Sequence, residues 1–128
     1  MATTLHTLAN LRRTQSGYQS ALALYQETLQ INRRLGDRWM LIQLLEDIGW
    51  MCALLGQPEQ ALRLVSVADT IRQELKAPLP PGDQVKLDQA LAPAREALGT
   101  QAETIWAEAR MSSFDSALDQ VDAIALPT

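Results

Sequence analysis

Residues 45–65, LEDIGWMCALLGQPEQALRLV, indicate a repeat protein, because the same pattern occurs 40 positions earlier at 5–25, LHTLANLRRTQSGYQSALALY. Both stretches place small or apolar residues at the same points. The shared pairs are Leu5 and Leu45, Leu8 and Ile48, Ala9 and Gly49, Ala21 and Ala61, Leu22 and Leu62, and Tyr25 and Val65. The sequence pattern of one helical hairpin therefore occurs twice. Since a single repeat cannot bury its apolar face alone, the two must stack on each other.

Helical periodicity, together with Gly and Pro, predicts four repeat helices, at about 3–14, 18–35, 38–55 and 58–75. Gly36 is expected to end the second helix and Asp37 to cap the third. Pro58 suits the first turn of the fourth helix, where its missing N–H costs nothing.

The repeat pattern ends after the fourth helix. Three prolines fall within Lys76–Asp83 and are incompatible with a continuing helix, so 76–83 is predicted to be a linker. Residues 84–128 do not repeat the 40-residue pattern, although their apolar residues keep helical spacing. Pro93 is expected to kink or split the fifth helix.

Two further helices are predicted near the C-terminus. Thr100–Glu103 has the form of a capping box for a sixth helix, and a seventh is expected to begin at Ser112 or Ser113. We interpret 84–128 as a cap over the open end of the stack, packed as one domain with the hairpins of 1–75. The predicted fold is all-α: a helical-hairpin solenoid of two 40-residue repeats with C-terminal capping helices.

Composition indicates a globular protein, with 47% hydrophobic residues, 20% charged residues and a formal net charge of -4. No apolar run approaches the ~20 residues that span a bilayer, and the N-terminus lacks the pattern of a secretory signal. We therefore expect a cytoplasmic protein without membrane contact. The nine arginines against two lysines favour a bacterial source. Cys52, the single cysteine, excludes an internal disulfide and is predicted to lie in the core.

The residues that could carry catalysis do not converge. His6 is the only histidine, and it is expected to face solvent or line a groove. Glu46 and Asp47 are adjacent, so on a helix they point about 100° apart and cannot act as an acid/base pair. The doublets Arg12–Arg13 and Arg33–Arg34 favour ion pairs over a phosphate-binding surface. We predict no catalytic residue, no metal site, no cofactor and no direct nucleic-acid contact.

The repeated positions resemble those of the tetratricopeptide repeats. Matching residues are Ala9 and Gly49 at the small position of the first helix, Ala21 and Ala61 at the signature alanine of the second, and Tyr25 and Val65 at its aromatic or apolar position. The turn Gly56–Leu62 is similar to the turn between the two helices of that family's unit. Thr28 stands where the unit favours alanine, whereas Ala68 keeps it. The resemblance implies a non-catalytic module that binds a protein or peptide partner.

A second resemblance extends over nearly the whole chain. It is carried by LALYQE at 22–27, RLGDRW at 34–39, APLPP at 77–81 and WAEAR at 106–110. These phrases resemble the C-terminal arm of bacterial regulators in which a signal-transduction ATPase of the MalT or AfsR kind precedes such repeats. The chain has no G-x-x-x-x-G-K-[ST] motif and no recognisable helix-turn-helix. It is expected to be a fragment or a stand-alone descendant of such an arm, with a sensor or regulatory role.

The family resemblance also implies a concave groove that binds the partner. Carried over position by position, its lining is His6, Asn10 and Arg13 from the first unit and Gln43, Glu46 and Trp50 from the second. Trp50 follows the crossing residue Gly49, so it is either a groove residue or, like the other tryptophans, a core residue. Glu46 is expected to repel a peptide carboxylate, which favours a helix or loop of a partner protein over a C-terminal tail.

The alternative function is self-association. The first helix has no preceding repeat to cover it, and Leu5, Leu8 and Leu11 could leave an apolar strip. Such a strip favours a two-fold homodimer without a separate peptide ligand.

Overall fold

The computed structural model describes residues 2–15 and 17–124, with the backbone alone at 2–5, 14 and 122. Within these ranges the chain forms seven α-helices and no strand. They are α1 (Ala2–Thr14), α2 (Tyr18–Leu35), α3 (Arg38–Leu54), α4 (Pro58–Leu75), α5 (Pro81–Leu98), α6 (Gln101–Arg110) and α7 (Phe114–Asp122). The all-α prediction is confirmed, and the four repeat helices begin and end close to the predicted residues.

The first four helices form two hairpins, α1 with α2 and α3 with α4, and α2 packs against α3 to join them. The crossing of the second hairpin lies at Gly49. A Cβ atom built there would lie 2.6 Å from Val65 Cγ2 and 3.2 Å from the Ala61 carbonyl oxygen. Only a residue without a side chain allows α3 and α4 to approach this closely. The repeat pattern therefore located the crossing correctly.

The ends of the repeat helices follow their sequence signals. Gly36 adopts the left-handed conformation, with φ 68°, and ends α2. The Asp37 carboxylate accepts a hydrogen bond of 3.1 Å from the Met40 N–H and caps α3. Pro58 occupies the first turn of α4. These local signals fix where each repeat helix starts and stops.

The linker is shorter than predicted, because α5 already begins at Pro81. Proline is compatible with the first turn of a helix, where its missing N–H has no intrahelical partner in any case. Pro93 lies inside α5, which continues to Leu98 and is not split. Pro93 and Gln89 are both exposed, so water can reach the Gln89 carbonyl that Pro93 leaves without a donor.

The predicted capping box at Thr100–Glu103 is wrong. Thr100 has a helical backbone, with φ -66° and ψ -18°, and its side chain makes no capping hydrogen bond. A capping side chain reaches the first turn from a non-helical, extended backbone, which Thr100 lacks. Ser113 does have that backbone, and its hydroxyl accepts a 3.0 Å hydrogen bond from the Ser116 N–H. The start of α7 is therefore as predicted.

The C-terminal helices do more than cover the open end of the stack. Whereas α5 packs against α3 and α4, α6 packs mainly on α4, and α7 reaches back to α2. Gln26 on α2 donates a 3.2 Å hydrogen bond to the Val121 carbonyl, and Arg33 lies 3.1 Å from the Asp119 carboxylate. Helices α6 and α7 thus lie along the second helices of both hairpins, and their buried residues join the hydrophobic cluster of the repeats.

The described helices include none with the length and hydrophobicity needed to cross a bilayer. Cys52 is fully buried in α3, as predicted, and burial raises the pKa of its thiol to about 12. This side chain is part of the core that holds α3 in place.

Candidate functional site

A cleft of about 530 Å³ lies between one face of α3 and the chain that follows α4. Helix α3 supplies Trp39, Gln43, Glu46, Asp47 and Trp50, and Arg72 of α4 lies at the base. The opposite wall consists of Pro78, Leu79, Pro80, Asp83, Lys86 and Leu87. Trp39, Gln43, Glu46 and Trp50 follow one another at intervals of four, three and four residues. This spacing places all four on one face of the helix.

Glu46 and Arg72 form a buried ion pair at the base of the cleft. Arg72 Nε and Nη2 donate hydrogen bonds of 2.6 Å and 2.8 Å to the two Glu46 carboxylate oxygens. Burial raises the pKa of Glu46, and the hydrogen bonds from Arg72 act in the opposite direction. Arg72 therefore offsets the negative charge through which Glu46 was expected to repel a peptide carboxylate.

Arg72 connects three parts of the cleft. Besides its bonds to Glu46 on α3, its Nη1 donates a 3.0 Å hydrogen bond to the carbonyl of Ala77. Its guanidinium carbon also lies 5.0 Å from the ring centroid of Trp39, within the range of a cation–π contact. One buried side chain thus fixes the base, the rim and the opposite wall.

His6 does not face solvent or line the cleft, contrary to prediction. It is 6% exposed, and its Nε2 lies 2.6 Å from Asp47 Oδ2 on α3. Its Nδ1 lies 3.1 Å from Met40 Sδ, and its ring meets that of Tyr25 edge to face. Position 6 faces the next hairpin, so His6 links α1 to α3 and is not available to a partner.

Asn10 and Arg13 also belong to the contacts between helices. Asn10 Oδ1 accepts a hydrogen bond from the Tyr25 hydroxyl, whose pKa is raised mainly by burial. Arg13 Nη1 donates a 3.2 Å hydrogen bond to the Asp47 carbonyl, and its guanidinium lies 4.9 Å from the Trp50 ring centroid. Asn10 is thus absent from the cleft lining, while Arg13 touches it only through Trp50.

The three tryptophans have different surroundings. Trp50 is half-buried within the cleft. Trp39 is 47% exposed at the rim, so the core interpretation is wrong for this residue. Trp106 is half-buried on α6, away from the cleft, and carries the Arg95 guanidinium 4.9 Å from its ring centroid. Only Trp39 and Trp50 offer aromatic surface to the cleft.

Several lining residues were absent from the sequence-based groove. Trp39 could have been found, because it precedes Trp50 by three helical turns on the same face. Residues 77–80 could not have been found, since the repeat pattern ends before the chain turns back over α3. Arg72 lies within the repeat, but the register does not show that its side chain crosses to Glu46. Of the six predicted groove residues, Gln43, Glu46 and Trp50 line the cleft.

The chemistry of the cleft favours binding. Across the described ranges, no group of three or more His, Cys, Asp or Glu side chains could hold a metal ion. The carboxylate of Glu46 is bonded to Arg72, and that of Asp47 to His6 and Arg13. The rest of the lining is aromatic and apolar surface beside the half-buried amide of Gln43, with Asp83 and Lys86 exposed at the α5 side, an arrangement typical of ligand pockets.

The sequence model of the tetratricopeptide repeat matches residues 1–73, more than half of the chain. Neither the curated proteins nor the solved structures include a significant match. The family match covers both hairpins and ends just after Arg72.

Proposed function

Because the chain belongs to the tetratricopeptide repeat family, whose repeats generally mediate protein–protein interactions, we propose that the cleft on α3 binds a segment of a partner protein. The observation that carries this proposal is the pair of tryptophans, three turns apart on one helix face, with Gln43 between them. Large aromatic side chains dominate the binding energy of many protein interfaces, which makes this face of α3 the best candidate.

The partner segment contacts the cleft through apolar side chains and its main chain. Trp39 and Trp50 provide flat apolar surface, and the amide of Gln43 can both donate to and accept from a peptide group. The charges at the base are paired within the protein, and Asp83 and Lys86 on the opposite wall are of opposite sign, so the site has no strong demand for a charged ligand. A loop or helix with an apolar anchor fits these surroundings.

We further propose that the module is a sensor or regulatory arm of a bacterial, cytoplasmic signalling or transcriptional regulator. The support is the similarity of phrases such as RLGDRW at 34–39 and APLPP at 77–81 to the repeat arms of ATPase-type regulators. An antibody raised against this chain tests the idea in the source cell. A native band several times larger than 14.2 kDa supports the regulator, and a band near that size contradicts its attachment to an ATPase.

Peptide display tests the cleft directly. Peptides selected on the immobilised chain are measured against Trp50→Ala and against Trp106→Ala. Trp106 is the matched control, because both rings are half-buried and both carry an arginine at 4.9 Å. Trp50→Ala is expected to lower the affinity for the selected peptides at least tenfold, while Trp106→Ala leaves this affinity unchanged. Equal affinities for both variants contradict the proposal.

Self-association through α1 is the alternative function, and the exposure of Leu11 favours it. Leu11 is 50% exposed and Leu8 half-buried, whereas the side chain of Leu5 lies outside the described residues. Sedimentation of the chain across micromolar concentrations tests it, with Leu11→Glu as the variant that separates a dimer. A species that stays monomeric throughout rules out the dimer.

A further inference from the structure

The wall of the cleft opposite α3 is a short extended segment, residues 77–80, which we call the Pro-rich strap. It contains no helix or strand, and Pro80 at its end has φ -54° and ψ 145°, close to polyproline II geometry. Leu79 is half-buried against the hydrophobic core, while Pro78 and Pro80 are exposed. The chain thus lays an extended, proline-containing segment along a face lined by two tryptophans.

The Pro-rich strap is held mainly at its two ends. At one end the Ala77 N–H donates 2.9 Å to the Arg72 carbonyl, and the Ala77 carbonyl accepts 3.0 Å from Arg72 Nη1. At the other end the Pro80 carbonyl accepts 2.9 Å from the Gln84 N–H. Between these anchors Pro78 and Leu79 have no hydrogen bond within the described ranges. Release of Leu79 is therefore enough to free the middle of the strap.

The turn that leads into the strap is also strained. Lys76 has φ 53°, the one non-glycine residue with a positive φ in the described chain. This conformation is unfavourable for a residue with a side chain, and it persists here because Arg72 and Gln73 bond the turn. The carbonyls of Arg72 and Gln73 thus fix the point from which the strap leaves α4.

The charges around the strap favour a neutral occupant. Glu46 is paired with Arg72, and Asp47 with His6 and Arg13. Asp83 and Lys86, which are exposed on α5, add one charge of each sign to the lining, so the cleft has no excess of either charge. Extended proline-rich segments dock on aromatic-lined grooves of this type, because their conformation is already ordered before binding. The side chains of the strap itself, Pro-Leu-Pro, have this uncharged character.

We propose that the Pro-rich strap, as the wall opposite Trp39 and Trp50, restricts access to the cleft, and that the partner binds as an extended, uncharged, proline-containing segment that displaces the strap and packs on both tryptophans. This inference rests on the proposed function of the cleft. A tethered segment competes at a high effective concentration, so the strap weakens partner binding until it is displaced. The partner therefore needs a higher concentration to bind than it would need without the strap.

The test uses the full chain with Pro78→Gly, Leu79→Ser and Pro80→Gly combined, and a blocked peptide of residues 76–82, KAPLPPG, as the probe. Indole N–H signals of the three tryptophans are followed by NMR as the peptide is added to millimolar concentration. The signals of Trp39 and Trp50 are expected to shift several-fold more in the variant than in the unaltered chain, while Trp106 does not move. A KAGSGPG peptide is the control, and it is expected to shift none of the three indole signals.

Equal shifts in both proteins, or no shift specific to KAPLPPG, overturn the inference. If the triple variant loses its helical circular dichroism, Leu79→Ser alone serves in the same comparison. The display-selected peptides separate this inference from the proposed function. Peptides that need Trp50 but bind equally well with and without the strap leave the cleft proposal standing and overturn the strap. Peptides whose affinity is unchanged by Trp50→Ala overturn the cleft proposal.

Discussion

In the first hairpin His6 and Arg13 contact the second hairpin, whereas in the second hairpin Arg72, paired with Glu46, holds the segment that follows it. His6 on α1 contacts Asp47 on α3 at 2.6 Å. Glu46, 40 positions after His6, instead bonds Arg72, which bonds the Ala77 carbonyl. The apolar positions of the two repeats therefore build the same hairpin, while the polar positions in the same register are adapted to different neighbours.

The same divergence appears on the second helices. Asn32 and Arg72 occupy equivalent positions, and both are buried. The Asn32 side chain donates a 3.0 Å hydrogen bond to the Thr28 carbonyl of its own helix. Arg72 crosses to α3 and to the chain beyond α4. The ligand cleft thus depends on a charged pair that the first hairpin does not have.

The largest effect is expected where this difference is greatest, at Arg72. Arg72→Ala leaves the Glu46 carboxylate buried without its partner and should lower the free energy of unfolding by about 3 to 5 kcal/mol. Asn32→Ala removes one neutral hydrogen bond and should cost about 1 kcal/mol. Urea unfolding of both variants measures the difference. Equal losses would show that the two repeats use this position in the same way.

The same variant has an expected pH dependence. Burial raises the pKa of Glu46 in the folded protein, so the folded chain holds this proton more tightly than the unfolded chain. The contribution of Glu46 to stability is therefore present at low pH and lost as the pH rises through its folded pKa. Without Arg72 that loss should grow, so the stability gap between Arg72→Ala and the unaltered chain narrows on acidification. A gap that widens in acid contradicts this account.

The next effect concerns the helix crossing that the repeats share. At Gly49 a Cβ would lie 2.6 Å from Val65 Cγ2, so Gly49→Leu should overpack the crossing and cost about 1 to 3 kcal/mol. Gly82, also in a helix, has no atom within 4 Å of an added Cβ and is the matched control. Thermal unfolding of Gly49→Leu and Gly82→Leu compares them. A Gly49→Leu protein as stable as the control would mean that the crossing adapts freely.

A smaller effect is expected at the junction between the hairpins. Asp47→Asn removes the carboxylate that His6 and Arg13 share and should cost about 1 to 2 kcal/mol, since hydrogen bonds to charged groups exceed neutral ones. Asp69→Asn alters the more exposed pair with Arg110 and should cost less than about 1 kcal/mol. The denaturant midpoints of the two variants measure these losses of stability. A larger loss for Asp69→Asn than for Asp47→Asn would contradict the expected order.

The smallest effect involves reactivity without a change in stability. Because burial raises the pKa of Cys52 to about 12, the thiolate is scarce at pH 8 and the native protein should react very slowly with a disulfide reagent. Leu54 lies on the same helix but is exposed, so Leu54→Cys in a Cys52→Ala background is the comparison. Rapid labelling of native Cys52 would show that α3 opens readily.

The fold was largely predictable from sequence because its signals are local. Apolar spacing located the four repeat helices, and Gly36, Asp37 and Ser113 marked ends that the structure confirms. The capping box at 100–103 failed because the backbone of Thr100, which sequence does not specify, is helical. The return of α7 to α2 depends on long-range packing, for which no repeat pattern exists.

The candidate site was less predictable, since register does not determine what a polar residue faces. Position 6 and position 46 are equivalent, yet one faces the next hairpin and the other faces Arg72. The exposure of Trp39 and the placement of the Pro-rich strap depend on the path of the chain after Leu75. Sequence could therefore identify Gln43 and Trp50 on one face of α3 but could not supply the opposite wall of the cleft.

The most direct test of the central claim is amide hydrogen exchange with a display-selected peptide bound. We expect new protection along α3 and a change in exchange at Leu79, the strap residue that carries an N–H between the two anchors. We expect no change along α1. Protection confined to α1, with α3 and the strap unaffected, would contradict the assignment of the binding cleft to the second hairpin.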